Sequence, residues 1–380
     1  MLKFQPFILA VLLFLPSTVL LPNPLFFIFG LSALLIFRKR FFYNQNYQIV
    51  FLLLVLSLLI SLIAFFYNGG KLNFYGNFLP LHVGLIASLF CALILEKKVA
   101  YYLIIFIFFE VLIGLSQYIV GVPTYFSFVP VEGIGITDGG LLYNKRVFGL
   151  SSNSSVLAGK ALIMITLQVC FFPNLVKKYK LLIHIAVVGA MIITFSRTGM
   201  VAYIVTLIIL IIKNILGKKG FYYVIGLIVP IICLTIFVDW SLLIEQLTRG
   251  RGEVEVSGRD LIWLVYFDQI LEAPYFGNYG IKNYLYVDAY GFMHAHNSIV
   301  MALYIYGIIP LTLILLPLIL LMLSKPLLIF ALAPLAVYSM AQFYLLWGAS
   351  FADVVMFAVL LNTTKVGLMK KEVLSLPPLS

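Results

Sequence analysis

Long apolar runs constrain the fold of this chain more than any other feature of its sequence. A helix needs roughly 20 apolar residues to cross a bilayer, and about twelve segments approach that length. These segments are 5–21, 24–37, 48–66, 78–95, 99–120, 155–172, 181–196, 199–212, 221–240, 298–323, 327–346 and 349–363. With 63% hydrophobic and only 10% charged residues, the composition excludes a soluble globular domain. The sequence therefore predicts an all-α polytopic membrane protein, with residues 1–380 forming a single membrane domain and the first span uncleaved.

Two long polar stretches, 121–154 and 241–297, interrupt the apolar segments. Because successive loops alternate between the two sides of a membrane, the 25 Lys and Arg residues divide into one set of 16 and another of nine. The larger set fills short loops and the tails, as is typical of cytoplasmic loops. We therefore predict that both termini are cytoplasmic and that both polar stretches face outside. The same rule explains the net charge of +11, so this charge does not indicate nucleic-acid binding.

Arginines at the edges of the outward stretches indicate an anion site. Arg197 lies in a tight turn between two predicted spans, and Arg259 opens an amphipathic helix over 261–272. A guanidinium can bind phosphate with two hydrogen bonds, and a helix N-terminus attracts anions. Two other interpretations stay open. Arg197 could extend to lipid headgroups, and Arg259 could pair with Asp260 or Glu255. The helix itself is expected to lie at the membrane interface with its aromatic face towards the lipid.

Two histidines, His294 and His296, end the longer polar stretch. An imidazole titrates near about pH 6.5, so either residue could accept a proton at neutral pH. A metal site formed by both histidines and Asp288 is the alternative, but the spacing is weak and we expect no metal.

Three charged residues, Glu110, Lys160 and Asp353, fall within predicted spans. Intramembrane charges commonly mark functional sites, which keeps a transporter or lipid flippase as an alternative. Transporters usually bind their substrates near the midplane, whereas this chain places its polar residues outside. A structural partner in a membrane assembly would leave the outward Arg and His residues unexplained.

Several short motifs follow one another between residues 146 and 310. They are Arg146 to Gly149 with Asn153, Ser196-Arg197-Thr198-Gly199, Gly258-Arg259-Asp260-Leu261-Ile262-Trp263, Pro274-Tyr275-Phe276-Gly277 with Gly280, and His296-Asn297-Ser298 followed by Gly307. In this order they resemble the O-antigen ligase and O-antigen polymerase superfamily of bacterial envelope glycosyltransferases. The resemblance implies a GT-C-like membrane fold in the bacterial inner membrane, with the two polar stretches in the periplasm.

The resemblance also implies an activity. The expected reaction is inverting transfer of a glycan from an undecaprenyl-diphosphate-linked donor to a sugar hydroxyl, without metal or other cofactor. By this resemblance Arg197 and Arg259 bind the diphosphate, and His296 deprotonates or orients the acceptor hydroxyl. Further candidate substrate-binding residues are Arg146, Asn153, Asp260, Asn297, His294, Arg249 and Arg251. We expect His294 to matter little, because a residue two positions away should point elsewhere.

The motif around His296 bears on the choice between ligase and polymerase. His296, Asn297 and Gly307 match a ligase motif, although Pro310 stands at its last position. Some polymerases carry Arg followed eleven positions later by Gly, and none of the outward arginines has this spacing. The sequence thus favours a ligase that joins O-polysaccharide to lipid A-core, with a repeat-unit polymerase as the alternative.

Overall fold

The computed structural model describes residues 6–70, 81–129, 146–215, 259–288, 291–325 and 327–362, and within these ranges the chain is mostly helical, as predicted. The helices are α1 (Pro6–Phe14), α2 (Leu25–Ile36), α3 (Arg38–Tyr43), α4 (Gln45–Tyr67), α5 (Leu81–Ala92), α6 (Lys97–Val120), α7 (Ser154–Phe171), α8 (Lys177–Thr194), α9 (Arg197–Ile215), α10 (Arg259–Glu272), α11 (Ser298–Tyr306), α12 (Ile308–Ser324), α13 (Leu327–Ser339) and α14 (Phe351–Asn362). A 3-10 turn, Leu15–Ser17, follows α1. Strands β1 (Leu285–Val287) and β2 (Gly291–Met293) form an antiparallel hairpin between α10 and α11.

Among the described residues, three helices are long and apolar enough to cross a membrane: α4, α6 and α7. Every predicted apolar segment except 221–240, which lies outside the described residues, contains a helix. Several of these helices are shorter than a full span, so the count of twelve spans stays a prediction. Helix α7 is apolar and buried on nearly all sides, which makes it part of the core of the bundle.

Two predicted spans differ from the helices observed. The segment 298–323 is divided at Gly307, which has a φ of 71° and separates α11 from α12. A Cβ atom at this position would collide with the backbone of Phe276 and Gly277. The break frees backbone groups that bond to the loop after α10: the N–H of Ile308 donates to the Pro274 carbonyl at 2.8 Å. A continuous apolar run could not reveal this break.

The segment 327–346 also contains less helix than predicted, because α13 ends at Ser339. Residues 340–350 instead form a loop, which we call the 340–350 loop. The buried carboxylate of Asp353 accepts hydrogen bonds from the backbone N–H groups of Leu346 (2.7 Å) and Gly348 (3.0 Å) and from the Ser350 hydroxyl (2.8 Å). Asp353 therefore organises this loop.

The other two intramembrane charges form a buried ion pair. The Lys160 Nζ atom lies 3.0 Å from the Glu110 carboxylate, and the two side chains are 1% and 0% exposed. Glu110 also accepts a hydrogen bond from the Ser151 hydroxyl at 2.7 Å. Pairing and hydrogen bonding offset the cost of burying both charges. All three intramembrane charges thus have a structural explanation, and this removes the feature that favoured a transporter.

The described helices place two groups of loops at opposite ends of the bundle. At one end, Arg40 forms a 3.0 Å salt bridge with Glu96, so two loops that were both predicted to be cytoplasmic lie together. At the other end, the N–H of Leu81 donates to the Gly280 carbonyl at 2.8 Å. Helix α5 runs from Leu81 towards Glu96 and therefore connects the two ends. The second end carries the predicted functional residues.

Candidate functional site

Four separate segments of the chain meet around the hydroxyl of Tyr338, near the end of α13. This hydroxyl donates to the backbone carbonyl of Ser155 at 2.6 Å, and it also hydrogen-bonds with the side chain of Ser196. Arg259, the first residue of α10, lies close enough for its charge to interact electrostatically with the same hydroxyl. The beginnings of α7, α9 and α10 therefore lie together at the end of α13. This arrangement brings three of the sequence motifs to one place.

Arg197 owes its position to a sharp turn between α8 and α9. Phe195 ends α8 in the left-handed conformation, with a φ of 49°. The Ser196 hydroxyl then accepts a hydrogen bond from the N–H of Gly199 at 3.1 Å, which starts the next helix. Arg197 is the first residue of α9 and is half-buried. It is thus placed directly beside the Ser196 to Tyr338 contact.

The segment that carries Arg146 is fixed against this turn. The side-chain amide of Gln117 makes two hydrogen bonds with the backbone of Gly149, at 2.8 and 2.9 Å. The N–H of Val147 donates to the Ile193 carbonyl at 3.1 Å, near the end of α8. The segment with half-buried Arg146 therefore lies against the end of α8, just before the turn that leads to Arg197.

Two asparagines among the predicted substrate-binding residues cap helices. The Asn153 side-chain oxygen accepts from the N–H of Val156 at 2.9 Å and caps α7. The Asn297 oxygen accepts from Ile299 at 2.8 Å and caps α11, while its amide donates to the Met340 carbonyl at 2.8 Å. Capping explains why both residues occur at these positions. A substrate contact by either one stays a prediction.

His294 and His296 form a close pair, and the expectation that they point in different directions is wrong. Their ring centroids are 3.9 Å apart, and the backbone N–H of His296 donates to Nδ1 of His294 at 3.1 Å. His296 has a φ of 49°, a left-handed conformation that few residues other than glycine adopt. This turn folds the backbone back at His296 and brings the two rings together.

Helix α10 holds the histidine segment from the side. The indole N–H of Trp263 donates to the Ala295 carbonyl at 2.6 Å, and the Tyr266 hydroxyl donates to the Met293 carbonyl at 2.8 Å. Tyr266 and Ile262 are fully or almost fully buried. The aromatic residues of α10 that make these contacts thus face the protein, whereas we had expected them to face lipid. The opposite face exposes Leu261, Leu264 and Leu271.

Burial and neighbouring cations keep both imidazoles neutral. Burial is the largest cause that lowers the pKa of His294 to about 3, with further contributions from His296, Lys282 and Arg259. Burial followed by the charge of Arg259 lowers the pKa of His296 to about 4, against a hydrogen bond with Gln342 that raises it. At neutral pH both rings are therefore unprotonated. The Nδ1 atom of His296 is buried and has no hydrogen-bond partner within the described part of the chain.

The structure adds residues that sequence reasoning did not assign. Tyr338 and Gln342 lie within the predicted span 327–346. The polar side chain of Gln342 was a signal in this apolar run that could have pointed to the site. Lys282 lies in the outward polar stretch 241–297 and was assigned no role from the sequence. Its Nζ atom lies 3.6 Å from the centroid of the Trp347 ring.

Some predicted site residues cannot be placed with the others. Arg249 and Arg251 lie outside the described residues, and of Asp260 the structure describes the backbone, in the first turn of α10. Across the described ranges, no three His, Cys, Asp or Glu side chains are grouped as metal ligands, so the set of His294, His296 and Asp288 is not assembled.

Comparison with known families supports the resemblance found in the motifs. Residues 181–315 match the family model Wzy_C, described as O-Antigen ligase. The matched range includes Arg197, Arg259 and His296 and excludes the segment with Arg146. No curated protein matches the chain. The match confirms the predicted resemblance to the O-antigen ligase and polymerase superfamily over residues 181–315.

Proposed function

We propose that this chain, whose residues 181–315 carry the O-antigen ligase family domain, transfers a glycan from a lipid-diphosphate carrier to a sugar hydroxyl. The observation that supports this function best is the meeting of the Ser196–Arg197 turn, Arg259 and the histidine pair around the end of α13. Permanent cations beside a neutral base match the two demands of this reaction. The leaving group must be stabilised, and the acceptor must lose a proton.

In this proposal Arg197 and Arg259 bind the diphosphate of an undecaprenyl-diphosphate-linked donor, with Arg146, Arg249 and Arg251 as further cations. A guanidinium keeps its charge at every physiological pH and can contact two phosphate oxygens at once. Arg259 is also the first residue of α10, and the N-terminus of a helix adds a favourable dipole for an anion. Stabilised in this way, the diphosphate can leave without help from a metal.

His296 acts on the acceptor in the same proposal. Its neutral imidazole takes the proton of the acceptor hydroxyl, and the hydroxyl oxygen attacks the anomeric carbon of the donor. The bond from that carbon to the diphosphate oxygen breaks, and its electron pair stays on the diphosphate. Attack from the side opposite the leaving group inverts the anomeric configuration.

The family match leaves the acceptor open, and we favour a ligase that joins O-polysaccharide to lipid A-core. The match of His296, Asn297 and Gly307 to the ligase motif supports this choice, and a repeat-unit polymerase is the alternative. The envelope glycans of a deletion strain distinguish the two on a gel. Long chains that stay on the carrier lipid indicate a ligase. Single repeats attached to the lipid core indicate a polymerase. A profile identical to that of the parent strain would contradict both.

The reaction requires the site to face the periplasm, with both termini in the cytoplasm of an inner-membrane protein. The salt bridge between Arg40 and Glu96 supports this orientation, because it groups basic loops at the end opposite the site. A reporter fused after Lys219 should therefore be active in the cytoplasm, and one inserted near Glu253 should be active in the periplasm. Reporters on the same side would show that the number of spans between them is wrong.

A further inference from the structure

Gln342 lies in the 340–350 loop, and the start of α11 holds this part of the loop in place. The hydroxyl of Ser298 donates to the backbone carbonyl of Gln342 at 3.1 Å. The same oxygen accepts hydrogen bonds from the N–H groups of Tyr344 at 2.9 Å and Leu345 at 3.1 Å. The buried Ser298 thus uses its full hydrogen-bonding capacity on the loop. Because Ser298 follows His296 by two residues, these bonds fix the backbone of Gln342 close to the histidine pair.

Further hydrogen bonds anchor the loop on either side of Gln342. Before it, the side-chain amide of Asn297 donates to the Met340 carbonyl at 2.8 Å. After it, the Asp353 carboxylate accepts from the N–H of Leu346 at 2.7 Å. The backbone that carries the Gln342 side chain is therefore held from two directions. A contact made by this side chain costs little additional conformational entropy of the backbone.

The side chain of Gln342 acts on the imidazole of His296. Burial and then the charge of Arg259 lower the pKa of His296 to about 4, and the hydrogen bond with Gln342 acts in the opposite direction. A hydrogen bond that favours the protonated ring is one in which a ring N–H donates and the amide oxygen accepts. In the neutral ring this bond fixes which nitrogen carries the proton, and it leaves the lone pair on the other nitrogen.

The other groups that face His296 do not favour its protonated form. Arg259, at the start of α10, keeps its positive charge at every physiological pH and repels an imidazolium. The ring of His294 lies 3.9 Å away, and burial is the largest cause that lowers its pKa to about 3, so it stays neutral where His296 is neutral. Of the described groups that act on the pKa of His296, Gln342 is the one that raises it.

We propose that Gln342 is a positioning residue for His296, whose ring it orients and whose imidazolium it stabilises when His296 takes the proton of the acceptor hydroxyl. The proton passes from the hydroxyl oxygen to the ring nitrogen with the lone pair, while the other ring N–H keeps donating to Gln342. The inference rests on the proposed function for the role of His296 as the base. It goes further in adding a third group, which orients the base.

A magnetic resonance titration of the full chain in lipid nanodiscs tests the contact without any need for transfer. The chain has four histidines, and in isotope-labelled protein the signal of His296 is the one that disappears in His296→Ala. Gln342→Leu removes the acceptor and should lower the pKa of His296 by about one pH unit. Gln342→Glu supplies a carboxylate and should raise this pKa by about one pH unit or more. Gln48→Leu, in the first turn of α4 at the opposite end of the bundle, is the matched control.

Glycan transfer by the same variants adds a readout that a purely structural glutamine would not move. Gln342→Leu should lower kcat by about tenfold or more with donor binding close to wild type, and Gln342→Glu should retain most of kcat. The fall of kcat/KM in acid should move with the pKa of His296, to lower pH in Gln342→Leu and to higher pH in Gln342→Glu. Ser298→Ala releases the backbone of Gln342, so it should shift both readouts as Gln342→Leu does and add little to that variant.

Two results would overturn the proposal. An unchanged pKa of His296 in Gln342→Leu and Gln342→Glu, each with wild-type thermal stability, would show that the two side chains are not coupled. Wild-type kcat in Gln342→Leu, despite a shifted pKa, would show that the contact has no role in transfer. A wild-type protein that transfers no glycan would count against the proposed function, and the titration would still decide whether Gln342 holds the imidazole.

Discussion

Replacing His294 tests whether this residue positions His296 or merely lies beside it. The backbone of His296 is held in a left-handed conformation, and its N–H donates to Nδ1 of His294 at 3.1 Å. The ring of His294 also packs on that of His296 at 3.9 Å. His294→Ala removes both contacts and leaves the strained turn without its support. His294→Asn keeps an acceptor oxygen near the position of Nδ1 and removes the ring.

The expected loss follows from these contacts. A left-handed residue other than glycine costs about 1–3 kcal/mol. The hydrogen bond and the ring contact that oppose this cost contribute about 0.5–1.5 kcal/mol each. If both contacts are lost, the left-handed conformation of His296 becomes about 1–3 kcal/mol less stable relative to relaxed conformations. This change corresponds to a roughly 5- to 150-fold lower rate of transfer. Losing the ring contact alone corresponds to roughly 2- to 12-fold.

The assay is glycan transfer by purified variants in lipid, with binding of the lipid-linked donor measured in parallel. His294→Ala should lower transfer by the larger factor and leave donor binding close to wild type, and His294→Asn should recover most of the activity. Near wild-type transfer by His294→Ala would refute the positioning role. Equal losses in both variants would show that the ring, and not the hydrogen bond, supports His296.

Two further predictions follow from the buried ion pair and from the electrostatics of the base. Lys160→Met leaves the Glu110 carboxylate buried without its partner and should destabilise the protein by about 3–5 kcal/mol, while the double variant Glu110→Gln/Lys160→Met should recover much of this loss in thermal unfolding. An equally unstable double variant would contradict this explanation. Because the pKa of His296 is lowered to about 4, kcat/KM for transfer should be constant above about pH 5 and fall as the pH drops through about 4. A fall in kcat/KM centred near pH 6.5 would show that the pKa of the His296 imidazole is not lowered.

The sequence was sufficient for the helical segments and for the order of the motifs, and it was insufficient for the way the helices end. Apolar residues that face lipid and apolar residues that face protein have the same composition, so the run 298–323 did not reveal a break at Gly307. The same ambiguity concealed the end of α13 at Ser339. The break depends on a partner distant in sequence, the backbone of Pro274, and the loop depends on the buried carboxylate of Asp353, a few residues further along the chain.

The candidate site shows the same contrast between residues that the sequence could identify and residues that it could not. Arg197, Arg259 and His296 could be singled out because charged and titratable residues are rare in this chain and lie at the ends of apolar segments. Their neighbours could not, because Tyr338 and Gln342 reach the site through tertiary packing that no local pattern records. The close pair of histidines depends on one left-handed residue, whereas local spacing predicted that the two rings would point apart. The contact between Lys282 and the Trp347 ring likewise requires a distance that only the fold supplies.

The most direct test of the division of labour between Arg and His is transfer by His296→Ala in nanodiscs, measured together with binding of the lipid-linked donor. The proposal predicts that transfer is abolished while the donor still binds as in wild type. Arg259→Lys serves as the contrasting variant, and the loss of one contact to the leaving group should lower its rate by roughly a hundred- to thousandfold. Near wild-type transfer by His296→Ala, with expression and stability unchanged, would contradict the assignment of His296 as the base.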